Sequence, residues 1–344
     1  MITAQPDASV IIAAFSADRW DRLREAVDSA IAQTRPAREV IVVIDHNPSL
    51  LVKASRELPG ATVIPNAGGR GASGARNTGV AASHGDVLAF LDDDARASEG
   101  WLESLLRHFA DPVVVGVGGR VSPLWARFRP AWFPPEFDWT VGASYRGMPG
   151  TARPVRNVWS NNMAIRRTAF EAAGGFREDF GKVGTRSRPE DTDLCLRAAA
   201  VTRKGIWVYE PAGVAGHWVP AERATVGYFL RRCFHEGRGK AGLAALDGHG
   251  ESTSTERHYT RHVLPSGIAR GLREAVRGDG TGLLRSIAIA TGFGVTAAGF
   301  AIGMLATAIT SGSAPGKAGP GKTAPGKAGL DQAASDQAAL DGAA

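Results

Sequence analysis

Residues 86–95 read DVLAFLDDDA: an apolar run from Val87 to Leu91 that ends in three consecutive carboxylates, Asp92, Asp93 and Asp94. Four to six apolar residues between polar ones are the length of a strand buried on both faces. The same kind of run occurs upstream at 9–15 (SVIIAAF) and 39–45 (EVIVVID), separated by the amphipathic stretch DRWDRLREAVDSAIAQT at 18–34. A loop at 46–60, a strand at 61–65 (ATVIP) and a helix over about 72–83 complete the pattern before residue 86. Apolar runs alternating with amphipathic helices predict an α/β fold, a mostly parallel sheet covered by helices on both faces.

That placement decides what the carboxylates can do. The carboxyl end of a parallel strand is where open α/β sheets bind ligands. Three adjacent carboxylates repel one another, and a divalent cation relieves the repulsion; hard oxygen ligands suit Mg2+ or Mn2+. Gly69, Gly71 and Gly74 spell G-x-G-x-x-G just upstream. This is a poor dinucleotide fingerprint: the strand before it has already ended at Pro65, and a complete strand–helix unit ending in Asp45 precedes it.

Further along, Glu190 and Asp191 open the predicted helix PEDTDLCLRAAAV at 189–201. Acidic residues in a first turn complement the helix dipole, and one of them can also serve as a general base. His217 closes GVAGHWV at 213–219 and is a candidate third metal ligand. Between these elements, SPLWARFRPAWFPPEFDWTVGASYRGMPG at 122–150 has no sustained period and reads as a long loop or insertion. Helices are expected at 166–174, from Glu190 and at about 221–245, with a strand at 205–211. A Gly, Ser and His-rich link follows at 246–260, then a basic amphipathic stretch at 263–286. Residues 287–310 carry no charge for 24 positions, long enough at 1.5 Å per residue to cross a hydrocarbon core of about 30 Å. The PGKAG-like tail from 311 is low-complexity and expected to be disordered.

In order, VIIAAFSADRWDRLREAVDSAIAQT, IVVID with Asp45, GASGARNTGV, FLDDDA, NNMAIRR, GGF and PEDTDLCLRA resemble a family 2 glycosyltransferase of the GT-A fold over roughly residues 8–240. The resemblance implies an inverting transferase that takes a nucleotide-diphosphate sugar, UDP-, GDP- or dTDP-linked, with Mn2+ or Mg2+. It places Asp45 at the nucleobase, Arg76 behind the nucleotide site, and Asp92 with Asp93 at the donor. Asp94 and His217 would hold the metal, and Asp191, with Glu190 beside it, would deprotonate the acceptor hydroxyl. On the acceptor side it places Trp132, Trp139, Tyr145 and Asn162. The weaker similarity of this aromatic stretch to members acting on polyprenyl-phosphate-linked sugars implies such an acceptor, or a glycan. Processive members carry a Q-x-x-R-W element; here the corresponding stretch is YFLRRCFHEGRGKA at 228–241, which implies addition of a single sugar.

The division expected is a nucleotide-sugar part at 1–119, an acceptor part at 120–240, a basic link and amphipathic helix at 241–286, a transmembrane or membrane-inserted helix at 287–310 and a tail at 311–344. The formal charge of +6 is unevenly placed: residues 120–188 carry 12 basic and 5 acidic groups, and 219–286 carry 11 and 7. Those excesses fit an anionic acceptor and an anionic membrane surface, and by the positive-inside tendency put the catalytic part on the cytoplasmic face of the plasma membrane. No nucleic-acid module accompanies the charge. Two cysteines, Cys195 and Cys233, exclude a disulfide framework and read as reduced core thiols. Residues 1–15 lack the basic start and apolar stretch of a signal peptide. The competing readings are a sugar-nucleotidyltransferase and a non-catalytic glycan-binding protein that keeps the fold.

Overall fold

The computed structural model describes residues 6–312 apart from 180, 184–185, 189, 203–204 and 248–256. The strands are β1 (Ala8–Ala14), β2 (Glu39–Ile44), β3 (Thr62–Pro65), β4 (Val87–Asp92), β5 (Ala95–Ala97), β6 (Val114–Trp125), β7 (Arg153–Val155), β8 (Asn162–Arg166), β9 (Gly181–Val183), β10 (Arg186–Arg188) and β11 (Ile206–Val219). The helices are α1 (Trp20–Ile31), α2 (Pro48–Glu57), α3 (Ala72–Ala81), α4 (Trp101–Leu106), α5 (Arg167–Ala172), α6 (Glu190–Val201), α7 (Val226–Asp247), α8 (Leu264–Val276) and α9 (Gly280–Gly312).

One sheet runs β3-β2-β1-β4-β8-β6-β11-β5, with β7 also on β11. Its first four strands are parallel, as the alternation of apolar runs and helices predicts. β8 then enters antiparallel to both β4 and β6. Apolar side chains of opposite parity along the strands feed two cores. Val10, Ile12, Val42 and Leu91 pack under α1, α2 and α4, while Ile11, Leu88, Phe90 and Met163 pack with Phe170 and Phe176 on the other face. A third core is largely aromatic, built from Phe133, Phe137, Phe229, Leu264 and Ile289, with Val121 and Val219.

Three expectations change. The loop expected at 46–60 contains α2: the Asn47 side chain accepts the Leu50 N–H and Pro48 occupies the first turn, so the Asn-Pro-Ser triplet is a helix start rather than a turn. The stretch expected as loop over 122–150 begins as the end of β6 and contains a 3-10 turn at Pro135–Val141, wrapped around the third core. The boundary expected at 286/287 falls inside α9, which is continuous from Gly280 and packs on α7 and α8. Cys195 and Cys233 are buried free thiols. Most of the expected link at 246–260 and the expected tail from 313 on lie outside the described residues.

Candidate active site

Asp92 ends β4, and the chain turns through Asp93 and Asp94 directly into β5. β5 pairs antiparallel with β11 so that Ala95 lies opposite His217. The Trp218 N–H donates to the Asp94 carbonyl at 2.9 Å, which fixes that register. A histidine more than a hundred residues away is thereby set beside the carboxylates: His217 Nδ1 lies 3.1 Å from Asp94 Oδ1. Ligand atoms of Asp92, Asp94 and His217 all fall within 4.8 Å of one another.

Asp94 Oδ1 and His217 Nδ1 are buried, close and without a hydrogen-bond partner. With Nδ1 unprotonated, His217 would set two acceptor atoms 3.1 Å apart, which is costly unless something shared satisfies both, and a cation does that. The other Asp94 oxygen is 3.0 Å from the Arg19 guanidinium. Burial opposes the Asp94 charge, but His217, Arg19 and Arg223 outweigh it and hold the carboxyl below its ordinary range, ready to ligate. Arg223 also places a guanidinium 3.3 Å from His217 Nε2. Gly142, at φ +80°, backs the same ring; a Cβ there would sit 3.1 Å from Nε2.

Asp93 shares the Arg19 guanidinium with Asp94. It is 4% exposed, meets Arg19 at 3.0 Å, and is pushed up to about 7 by burial and then by the neighbouring Asp94 charge, against the pull of Arg19. Asp93, expected at the donor, is thus buried against Arg19 at the end of β4. Arg76, buried on α3, lies 2.9 Å from Asp92 and 3.7 Å from Glu190, tying β4 to the start of α6. Asp191 follows Glu190; burial first and the Glu190 charge second push its carboxyl up to about 7. Asp45, just past β2, accepts from Asn66 at 2.7 Å, from His46 at 2.8 Å and from the Gly71 N–H at 2.9 Å. Burial disfavours its charge, but these donors win and keep it below the usual range. Asp45, Arg76, Asp92, Asp94, Glu190 and His217 thus stand along the carboxyl ends of β2 and β4 and the entry to α6.

The expected acceptor residues divide. Trp132 packs on Phe133 and Phe229, Trp139 donates Nε1–H to Tyr259 at 3.0 Å, and Tyr145 lies against Trp159 and Tyr259. All three remain half-buried, one side in the third core. Asn162 is different and is corrected: it is 1% exposed, accepts from Trp101 Nε1 and donates to the Arg120 and Gly213 carbonyls. With its amide fully engaged inside the protein, it joins β8, β6 and β11 and has no face for an acceptor. Arg19, Arg223, Asn66 and Gly142 are the site residues that sequence reasoning missed. Arg19 sits in SADRW, where the helical period of α1 hides it, and pairs with residues 74 positions away.

Residues 9–174 match glycosyl transferase family 2. A glucosyl-dolichyl phosphate glucuronosyltransferase of Haloferax volcanii is 30% identical over 237 residues, covering 67% of this chain and 75% of that protein. The succinoglycan biosynthesis protein ExoM of Rhizobium meliloti is 30% identical over 246 residues, 67% of this chain and 74% of its own. Among solved structures, a mannosyltransferase from Pyrobaculum calidifontis in complex with GDP-Man and Mn2+ superposes with a TM-score of 0.55 at 20% identity, over 88% of each chain. The sheet is the GT-A fold, and with relatives this similar over two thirds of its length the chain belongs to glycosyl transferase family 2.

Proposed function

We propose that the protein is a metal-dependent, inverting glycosyltransferase that moves one sugar from a nucleotide-diphosphate sugar to a hydroxyl of a polyprenyl-phosphate-linked acceptor, on the cytoplasmic side of the membrane. The observation that carries this reading is the Asp92, Asp94 and His217 cluster with its two unpartnered buried atoms. Two carboxylates and an imidazole suit Mn2+ better than Mg2+, which prefers oxygen alone. Such an ion, when bound, neutralises charge developing on a departing diphosphate. Asp45, held ionised by three donors, offers a fixed acceptor to a nucleobase N–H. Asp191, with a carboxyl near 7, has the basicity to take the acceptor proton at neutral pH. A single base opposite the leaving group is what inversion requires.

Two features support a phosphate-bearing lipid acceptor. The Haloferax relative is named for a glucosyl-dolichyl phosphate. A cavity of about 260 Å³ between the aromatic segment and α8–α9 is lined by Arg129, Arg146, Arg270, Glu274 and Arg285; Arg129, Arg270 and Arg285 are paired with Asp138, Glu136 and Glu274, and the exposed Arg146 is the guanidinium best placed for a phosphate. Guanidinium forks are suited to phosphate oxygens.

Purified full-length protein with Mn2+ and a panel of UDP-, GDP- and dTDP-sugars should release nucleoside diphosphate with one donor, more rapidly when a polyprenyl-phosphate-linked sugar is added. Asp94→Ala should abolish the release and weaken metal-dependent donor binding. No turnover with any donor, together with unchanged donor binding in Asp94→Ala, would overturn the proposal; release of pyrophosphate would favour a nucleotidyltransferase.

A further inference from the structure

Helix α9 is apolar and long, and only a narrow stripe of it is covered. Gly282, Ser286, Ile289, Gly292, Gly299 and Gly303 face α7, α8 and the aromatic core. The rest exposes Leu283, Leu284, Ile287, Phe293, Phe300, Ile302, Met304 and Leu305, each between 38% and 64% accessible. Leu272 and Val276 of the packed partner α8 are exposed as well, Val276 at 89%. A contiguous surface of this kind marks an interaction site.

What α9 is bolted to decides how it can meet a bilayer. At Gly299 a Cβ would strike the Phe234 backbone, at Gly303 it would meet Arg238 and Ala241, and at Gly237 of α7 it would strike the Thr296 and Phe300 backbone. The two helices are therefore in backbone contact over about two turns. Over that length α7 carries Arg231, Arg232, Glu236, Arg238 and Lys240. Were α9 to cross the bilayer, it would either carry these charges into the hydrocarbon, which is costly, or abandon its packing. Lying in the interface, by contrast, it buries its apolar face and leaves the basic groups at the level of lipid phosphates. The rim supplies them: Arg231, His235 and Arg238 on α7, and Arg273 and Arg277 on α8, are exposed.

We infer that α9 is an in-plane anchor: it docks on an anionic lipid surface through the apolar face of the α8–α9 hairpin, rimmed by basic residues of α7 and α8, and does not span the bilayer. Of the two postures expected for 287–310, transmembrane or membrane-inserted, α9 takes the second. A lipid surface fits better than a second copy of this chain, because the rim is basic on both flanks and a two-fold contact would bring like charges together.

The test uses the full chain with phosphatidylcholine vesicles containing ~30% phosphatidylglycerol, an anionic content chosen to engage basic groups near the surface. Nitroxide labels at Ile287→Cys, Ala298→Cys and Leu305→Cys, which helical spacing puts on one face of α9, should report the same shallow immersion depth. The native thiols are buried and should not compete for label. Phe293→Asp with Leu305→Asp should lose most vesicle binding, at least tenfold, with an unchanged circular dichroism spectrum and unchanged donor binding. Arg231→Gln with Arg238→Gln should weaken binding to anionic vesicles more than to neutral ones. A depth profile that passes through the bilayer centre would overturn the inference, as would a chain that dimerises through this face and ignores vesicles. These readouts are independent of turnover, so failure here and failure of the proposed reaction are distinguishable.

Discussion

Asp191 carries the sharpest residue-level expectation. Burial and the Glu190 charge lift its carboxyl to about 7, so the ionised, proton-accepting form grows as pH rises through that value. kcat/KM is expected to climb with pH to a plateau above about 7, on a single acid limb. Asp191→Asn should cut kcat by about 10²–10⁴-fold, the usual worth of a positioned base, while donor binding by calorimetry stays unchanged. Glu190→Gln removes the second cause of the shift, so the acid limb should move to lower pH; a limb that stays put would assign the titration elsewhere. At the other end of the site, Gly142→Ala adds a Cβ 3.1 Å from His217 Nε2 at a φ that disfavours side chains. The ring must shift, and the Mn2+ concentration for half-activation should rise severalfold with little change in kcat at saturating metal. Neither Arg19 nor Gly142 carries any local mark in the sequence, since each acts on a partner far along the chain.

At the scale of elements, the site depends on a clamp between β4, α3 and α6 made by one guanidinium. Arg76 is 6% exposed and lies between Asp92 and Glu190, both partly open to solvent. Removing it in Arg76→Met leaves two carboxylates facing each other. The loss expected is about 2 kcal/mol by denaturant unfolding, below the 3–5 kcal/mol of a fully buried pair because water reaches both acids. Donor affinity should fall with it. The elements that the clamp joins were legible: DVLAFL, the alternation before it and the acidic start of α6 follow from period and burial, which are local properties. Elements fixed by distant partners were not. Trp132, Trp139 and Tyr145 give the same composition whether they stack on a ligand or on Phe133, Phe229 and Tyr259; the Asn47 cap of α2, though local, was obscured by turn-like residues. The length of α9 was plain from its sequence, but its posture depends on α7, which only the fold places beside it.

In the whole molecule, the residues proposed for the donor and those proposed for the acceptor rest on different cores, and this separation can be tested. Asp45, Arg76, Asp92 and Asp94 are carried by strands and helices of the two cores that sandwich the sheet. The segment from Trp132 to Tyr145 is carried by the third core, which α7, α8 and α9 complete through Phe229, Leu264 and Ile289. The same segment is tied to α8 by the Arg270–Glu136 ion pair and reaches His217 at Gly142. The helices proposed to meet the lipid are thus also the wall behind the segment proposed for the acceptor. Ile289 is 1% exposed in α9 under Phe137 and Phe229, so Ile289→Ala should cost about 2–4 kcal/mol by loss of burial and by the cavity left behind. If the cores are separable, this variant should keep donor binding by calorimetry within about twofold, less than the ~1.4 kcal/mol that a tenfold change represents. KM for the lipid-linked acceptor should rise at least tenfold under the same conditions. Parallel loss of donor and acceptor binding would mean that the sheet and the hairpin fold as one unit. In that case removing residues 287–310 would unfold the enzyme rather than merely release it from the membrane.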